Sequence, residues 1–476
     1  MIKSPKGSLW AKVLAIGAVV GVLAIVLARI GYLVDERRGR QLEAVQSVQQ
    51  SQAGAQAVLG PWLHRQCTEE WDVEVGEGKD RKLQTERREF RLSTAAARLT
   101  VSSQAQAEQR YRGLFKVNGY LTRLDLDAQW PSLAALEPAP TVRGARLACD
   151  PVTLMLAISD NRGVQRAELK VDGQDRAVSA GTEHPKYPRG LHASVAERPL
   201  AGPLQAHLTL DLRGTGRLDL VPAAAQTDWD LRADWPHPSF GGRFLPVERE
   251  VGEGGFHAIW RVSELASNAA REVAEGAALC AGDANAALAG DYAEGAAAAA
   301  RDNAHCLDTL AVSFIDPVNP YVLSDRAIKY GLLFVALTFV AVALTEVLAR
   351  HRVRRVHPVQ YALVGLALSL FFMLLLALSE HMAFEWAYGA ASVACALVLG
   401  AYGSHMLGGW RAGAAFGGAL GGLYGLLYVL LTREQTALVV GTVGLFALVA
   451  GVMMLTRRID WYRLFDELGA PGARAE

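Results

Sequence analysis

Hydrophobic and polar positions fall along this chain in three regimes. Residues 13–28 form an apolar run behind Lys3, Lys6 and Lys12. No small-x-small cleavage site follows before Asp35-Glu36-Arg37-Arg38, so the run reads as an uncleaved anchor, 1–34. Its uncharged core is short, and Lys12 and Arg29 are expected to snorkel toward the two interfaces. About 290 residues of mixed polarity follow. Five apolar stretches then come in close order: 327–348, 359–379, 386–402, 412–431 and 437–455. Each has about 17–22 residues, enough to cross a hydrocarbon core of roughly 30 Å. The pattern predicts six spans.

The middle regime alternates with period two, the mark of sheets with one packed and one solvated face. Leu208, Leu210 and Leu212 alternate with Thr209, Asp211 and Arg213. Gly214-Thr215-Gly216 follows, then Leu218 and Leu220 about Asp219, which reads as a hairpin. Asp172-Gly173 marks a second turn. Leu124 and Leu126 lie between polar neighbours, as do Trp229, Leu231, Ala233 and Trp235. Stacked antiparallel sheets are the simplest architecture. Two parts look helical: 36–57, which continues the first span, and the Ala-rich 264–300.

Basic residues in short loops set the orientation. They gather at Lys3, Lys6 and Lys12, at Arg350, Arg352, Arg354 and Arg355, and at Arg457, Arg458 and Arg463. Both termini are therefore expected inside and the large insert outside. The expected fold class is an α+β membrane protein: six transmembrane helices with a large, mainly β extracytoplasmic domain between helices 1 and 2. The boundaries are 1–34 for the anchor, 35–326 for the external domain, 327–456 for the five-helix membrane domain and 457–476 for a cytoplasmic tail.

Composition narrows the function. Of 476 residues, 51% are apolar, and 48 Lys and Arg balance 48 Asp and Glu. The balance argues against a nucleic-acid partner. Four of the five Cys, namely Cys67, Cys149, Cys280 and Cys306, lie in the external region, where an oxidising compartment permits disulfides. Cys280–Cys306 is favoured because it closes a local loop. Whether Cys67 and Cys149 pair stays open, and free buried thiols are the alternative. No P-loop, G-x-S-x-G, H-E-x-x-H or zinc-type Cys spacing occurs, so no enzyme, metal or cofactor is expected.

Several segments together resemble the CreD family of bacterial inner-membrane proteins. They are Ser313-Phe314-Ile315-Asp316-Pro317-Val318-Asn319-Pro320-Tyr321, Ser324-Asp325-Arg326-Ala327-Ile328-Lys329-Tyr330, His357-Pro358-Val359-Gln360-Tyr361, Val364-Gly365-Leu366-Ala367-Leu368 and Ser379-Glu380-His381. Arg110-Tyr111-Arg112-Gly113, Trp235-Pro236-His237-Pro238-Ser239-Phe240 and Gly255-Phe256-His257-Ala258-Ile259-Trp260 match in the external region. The Cys280–Cys306 stretch looks like an insertion relative to the family pattern. The resemblance implies a role in cell-envelope integrity and the response to β-lactam stress under a two-component system, with the external domain periplasmic. It supplies no catalytic residue.

Three groups of residues remain as candidates. Glu346, Glu380, His381 and Glu385 lie at span ends, where ionisable residues are costly. His381 and Glu385 could share one helix face. They form either a proton-sensitive or cation-binding cluster or interfacial anchors. Gly409, Gly413, Gly417, Gly421 and Gly425 recur every four residues, widened by Gly418 and Gly422, as a smooth face for helix packing or self-association. Trp235, His237 and Phe240, with Arg110 and Arg112, read either as the lip of a partner site or as a rigid crossing whose aromatics are core. The partners expected are the bilayer and another envelope protein or cell-wall component. Span centres are almost purely apolar, which disfavours a proton- or ion-coupled transporter. No cytoplasmic segment is long enough for a sensor's output domain.

Overall fold

The computed structural model describes residues 6–75, 82–195, 199–282, 306–316, 319–348, 356–433 and 437–457. The basic cluster 350–355, the Ala-rich stretch from 283 onward, and the expected tail beyond Arg457 lie outside them. So do Lys3 and the Lys6 side chain. The chain divides into two compact units, 41–317 and 1–40 with 318–476. These limits lie inside the hydropathy boundaries at 35 and 326; at the first, helix α1 (Lys6–Ser51) runs unbroken past the end of its apolar part.

Unit 41–317 is built of strands. In chain order they are β1 (Gln56–Val75), β2 (Lys82–Thr94), β3 (Arg98–Arg112), β4 (Phe115–Trp130), β5 (Arg146–Cys149), β6 (Thr153–Ile158), β7 (Val164–Val171), β8 (Gln174–Arg176), β9 (Ser179–Ala180) and β10 (Gly190–Ser194). There follow β11 (Leu204–Thr215), β12 (Arg217–Leu220), β13 (Gln226–Ala233), β14 (Pro238–Gly242), β15 (Glu248–Gly252), β16 (Gly255–Ser263), a short helix α2 (Ala269–Glu275) and β17 (Leu310–Phe314). One sheet runs β14-β17-β12-β1-β6-β10-β9, with β2 and β5 also on β1. The other runs β15-β16-β13-β3-β4-β11-β7-β8. Pairing is antiparallel except for β1 with β12 and β3 with β13.

The alternation explains the layering. On β3, Leu99, Val101 and Ala105 point in, while Thr100 and Ser102 point out. Leu208, Leu210 and Leu212 on β11 and Trp229 and Leu231 on β13 join them in one core with Leu154, Leu156 and Leu220 of the first sheet. β6 is buried at every position because the outer face of its sheet is covered too. There Met155 and Ala157 meet Tyr187 and Val273.

The expected hairpin at Gly214-Thr215-Gly216 does not form. Thr215 pairs with Gly119 in the second sheet, whereas Arg217 pairs with Ser313 in the first. Gly216, at φ +74°, turns the chain from one sheet into the other. The Asp172-Gly173 turn does close a hairpin, between β7 and β8. The helix read at 36–57 ends at Ser51, and Ala57 is already in β1.

The other unit holds the apolar helices. After α1 come α3 (Pro320–Lys329), α4 (Gly331–Leu348), α5 (Pro358–Ser379), α6 (Phe384–Met406), α7 (Trp410–Thr432) and α8 (Ala437–Thr456). Among the described residues, α1, α5, α6 and α7 are long and apolar enough to cross a membrane. The single span expected at 327–348 is instead a pair, α3 and α4, bent by 44° at Tyr330. Asp325, Arg326 and Lys329 make α3 amphipathic and too polar to prolong α4. α8 is a shorter apolar helix. Leu23, Leu27 and Ile30 form the face of α1 in the helix core.

Candidate functional site

The polar residues of the helical unit form two clasps, each on α1. At one end Lys12 donates to both carboxylate oxygens of Glu346 on α4, at 2.7 and 2.9 Å. The Tyr361 hydroxyl of α5 donates to the same carboxylate at 3.5 Å, and Lys12 lies 5.9 Å from its ring centroid. Lys12, expected to snorkel toward an interface, has Glu346 as its counter-ion. At the other end Glu380 caps the C-terminus of α5. Its carboxylate lies 3.7 Å from Nε of Arg37 and accepts from the Tyr321 hydroxyl at 3.3 Å. Along α1, Lys12 and Arg37 are about 37 Å apart at 1.5 Å per residue. That separation sets one clasp near each face of a hydrocarbon core of roughly 30 Å.

Local sequence explains why these groups meet. Asn319 caps α3, accepting from the Tyr321 backbone, with Pro320 in the first turn. His357 caps α5 through a capping box with Gln360, again with a proline in the first turn. Each cap fixes the tyrosine that reaches a clasp. His381 and Glu385 do not share a helix face: His381 lies in the turn after α5, and Glu385 in the first turn of α6. Both are exposed. The acidic side chain there complements the helix dipole. Between the clasps, Tyr388 donates to the Tyr424 carbonyl at 2.7 Å, and the Tyr424 hydroxyl meets Sγ of Cys395 at 3.1 Å. This neutral network was not legible, since its members are seven to thirty-six positions apart in a uniformly apolar background.

The glycine stripe splits. A Cβ on Gly413 would lie 2.5 Å from the Gly400 carbonyl oxygen and 2.6 Å from Cα of Ser404 on α6. One on Gly417 would lie 3.1 Å from the Ala396 oxygen. Ala396, Gly400 and Ser404 thus form the facing small-residue row. Gly421 and Gly425, like Gly418 and Gly422, have nothing described within 4 Å, and Gly409 precedes α7 as its cap. Each step of four residues over-rotates by about 40°, so the stripe winds off the contact. Gly413→Leu is expected to destabilise the protein by about 1–3 kcal/mol, as overpacking does. Gly421→Leu should change stability by less than about 0.5 kcal/mol. Thermal unfolding in detergent decides, and equal effects would remove the α6–α7 contact as the stripe's purpose.

In the sheet unit, Trp235 lies in the crossing from β13 to β14 and Phe240 on β14 itself. Trp235 is 5% exposed, and its indole N–H donates to the His237 and Ile315 carbonyls at 3.0 and 3.2 Å. Phe240 meets the Trp260 and Phe256 rings edge-on. His237 is exposed. Arg110 pairs with Glu108 at 3.1 Å beside the β3–β4 turn, and Arg112 is exposed there. Cys280 and Cys306 form a disulfide, and so do Cys67 and Cys149.

Two further features escaped the sequence reading. An open cleft of about 650 Å³ at one end of the second sheet is lined by Gln104, Arg232, Asp234, Glu250, Phe256 and His257. His64, His184 and His192 cluster around 181–187. The buried His64 contacts the Thr182 carbonyl at 3.0 Å, and His192 contacts Gly181 O and Glu183. Burial pushes the His184 pKa down to about 4, helped by the Arg91 charge, and burial lowers that of His64 as well. Among the described residues no group of three or more His, Cys, Asp or Glu is placed to hold a metal ion. A Thr209–His207–Asp127 alignment on the open sheet face looks catalytic, but the Thr209 hydroxyl donates to Asp125 at 2.7 Å and stands 3.4 Å from the imidazole. Strand pairing on both sides of β11 occupies the neighbouring backbone, so no oxyanion donors converge there.

Bundled apolar helices carrying a two-sheet insert define a multi-pass membrane protein. A model of the family described as inner membrane protein CreD matches residues 8–462. The Escherichia coli (strain K12) inner membrane protein CreD is 32% identical over 465 residues, 97% of this chain and 95% of that protein. The chain belongs to the CreD family of inner membrane proteins. Among solved structures, an M1 zinc metallopeptidase from Deinococcus radiodurans matches with a TM-score of 0.20 and 10% identity, over 35% of this chain and 38% of that one. The native leukotriene A4 hydrolase of Saccharomyces cerevisiae reaches 0.19 at 10% identity, over 36% and 27%. Likeness at that level says nothing about activity.

Proposed function

We propose that this protein is a non-enzymatic scaffold or binding module for cell-envelope integrity and the response to β-lactam stress. In this reading six spans, α3 with α4 counting as one and α8 as the last, hold the sheet domain on the periplasmic side with both termini in the cytoplasm. One observation carries it: among the described residues, the mostly buried carboxylates of the helical unit, Glu346 and Glu380, are paired at its two ends. Among the described residues, the buried polar groups between them are neutral tyrosine, cysteine, serine and threonine hydroxyls and thiol, bonded within the bundle. A proton or ion path needs charged partners at mid-depth. The sheet domain, by contrast, opens a cleft in which Arg232, His257 and Glu250 meet solvent.

Complementation of a strain lacking the protein tests this. Arg232→Glu with His257→Glu alters the cleft at an exposed and a partly buried position. Lys12→Gln with Glu346→Gln and Glu385→Gln removes charge from the helical unit while leaving no partner behind. At normal membrane levels, the cleft variant is expected to lose β-lactam tolerance and the neutralised variant to keep it. The opposite result would point to proton- or ion-coupled transport.

A further inference from the structure

We infer that the tip of the β3–β4 hairpin is a docking element for anionic lipid headgroups, with Tyr111 and Leu114 entering the interface and Arg110 and Arg112 meeting lipid phosphates. Tyr111 is 66% exposed and Leu114 53%, although both are large and apolar. They sit beside three cations, Arg110, Arg112 and Lys116, within seven residues. Aromatic and aliphatic side chains flanked by guanidinium groups suit the headgroup layer, where rings are half-wetted and phosphates accept paired N–H donors.

The direction in which the hairpin points supplies the occupant. Two segments of the sheet unit lead out of it, back to residue 41 and on to residue 317, and both lie along this hairpin. Gly54 accepts from Thr215, which pairs with Gly119 on β4, while Val45 and Val48 pack on Val117. Two residues toward the tip on β4 thus follow α1 back toward residue 41. The second segment behaves alike. Phe314 accepts from the Asn118 side chain at 3.2 Å, and Asp316 pairs with Lys116 at 3.1 Å. Two residues toward the tip follow the chain forward to its other exit. Both exits lead to the apolar helices, so the tip lies on the side of the sheet unit from which the chain leaves for them. Gly113 and Leu114 continue about 10 Å beyond Val117 at roughly 3.4 Å per residue. The inference concerns lipid and holds for either membrane face, so it stands apart from the proposed cleft function.

The full chain tests it, with Cys395→Ser removing the one free thiol and Leu114→Cys carrying an environment-sensitive nitrobenzoxadiazole label under non-reducing conditions. Leu265→Cys, 94% exposed at the far end of the same sheet, is the control. Each is placed in nanodiscs of phosphatidylcholine, with or without phosphatidylglycerol, containing a headgroup-nitroxide lipid. Quenching at position 114 should exceed that at 265 by at least about threefold with phosphatidylglycerol present, and Arg110→Gln with Arg112→Gln should abolish the increment due to the anionic lipid. Quenching no greater at 114 than at 265 would overturn the proposal, because the tip would then face water or protein. Equal quenching in both lipid mixtures would overturn it as well, because recognition of anionic headgroups would be absent.

Discussion

Replacing Cys67 and Cys149 together by serine is expected to lower the stability of the sheet domain by about 4–5 kcal/mol. The disulfide links positions 82 residues apart, and closing a loop of that length in the unfolded chain removes about that much conformational freedom. The folded geometry adds a local reason. Cys67 and Cys149 stand directly opposite each other on β1 and β5, and β5 is only four residues long. Next to it, the fully buried Glu69 carboxylate accepts from the Thr141 hydroxyl and from the Thr141 and Val142 backbone, and pairs with Arg88 at 2.7 Å. The Thr141 hydroxyl bond leads in holding that carboxyl below its usual range. Without the crosslink, four residues of pairing must keep this loop on a buried carboxylate to which it supplies three donors. Urea unfolding followed by tryptophan emission measures the change. The Cys280→Ser and Cys306→Ser pair, closing 26 residues, should cost about 1 kcal/mol less on the same loop-length dependence. An unchanged midpoint for the first pair would mean the bridge does not constrain the domain.

The residues that could be read correctly were those whose neighbours in sequence are also their neighbours in space. Leu208, Leu210 and Leu212 announce a strand because the pleat itself has period two. The same pattern says nothing about which strand lies alongside, and so the crossing at Gly216 was mistaken for a hairpin. β12 keeps the alternation but pairs with β1 and β17, whose sequence positions lie about 160 residues before it and about 90 after it. The clasps failed for a similar reason. Glu346 and Glu380 could be singled out, since charge in an apolar setting is conspicuous. Their partners Lys12 and Arg37 are more than 300 residues away, and Lys12 reads by itself as an ordinary interfacial cation. The glycines misled by half: a spacing of four suggests a straight stripe, while a helix of 3.6 residues per turn carries Gly421 and Gly425 off the contact that Gly413 and Gly417 make.

Lys12→Met should destabilise the helical unit by about 3 kcal/mol, toward the lower end of what is lost when one member of a buried pair is removed. Glu346 is 18% exposed, and Lys12 31%, so water reaches the pair in part. With Lys12 gone, one donor to the carboxylate remains among the described residues, the Tyr361 hydroxyl at 3.5 Å, and its charge is left among apolar helices without a counter-ion. The double variant Lys12→Met with Glu346→Met removes both the attraction and the cost of burying charge. Replacing a pair by apolar groups of similar volume is commonly neutral or better, so most of the lost stability should return. A double-mutant cycle of thermal unfolding in detergent reads this directly. If the double variant is as unstable as Lys12→Met alone, the pair is not what Lys12 contributes. The same variant bears on function. A transporter that cycles a proton through Glu346 would be stable but inactive without it, whereas a helical unit that only holds the sheet domain would still support envelope-stress tolerance.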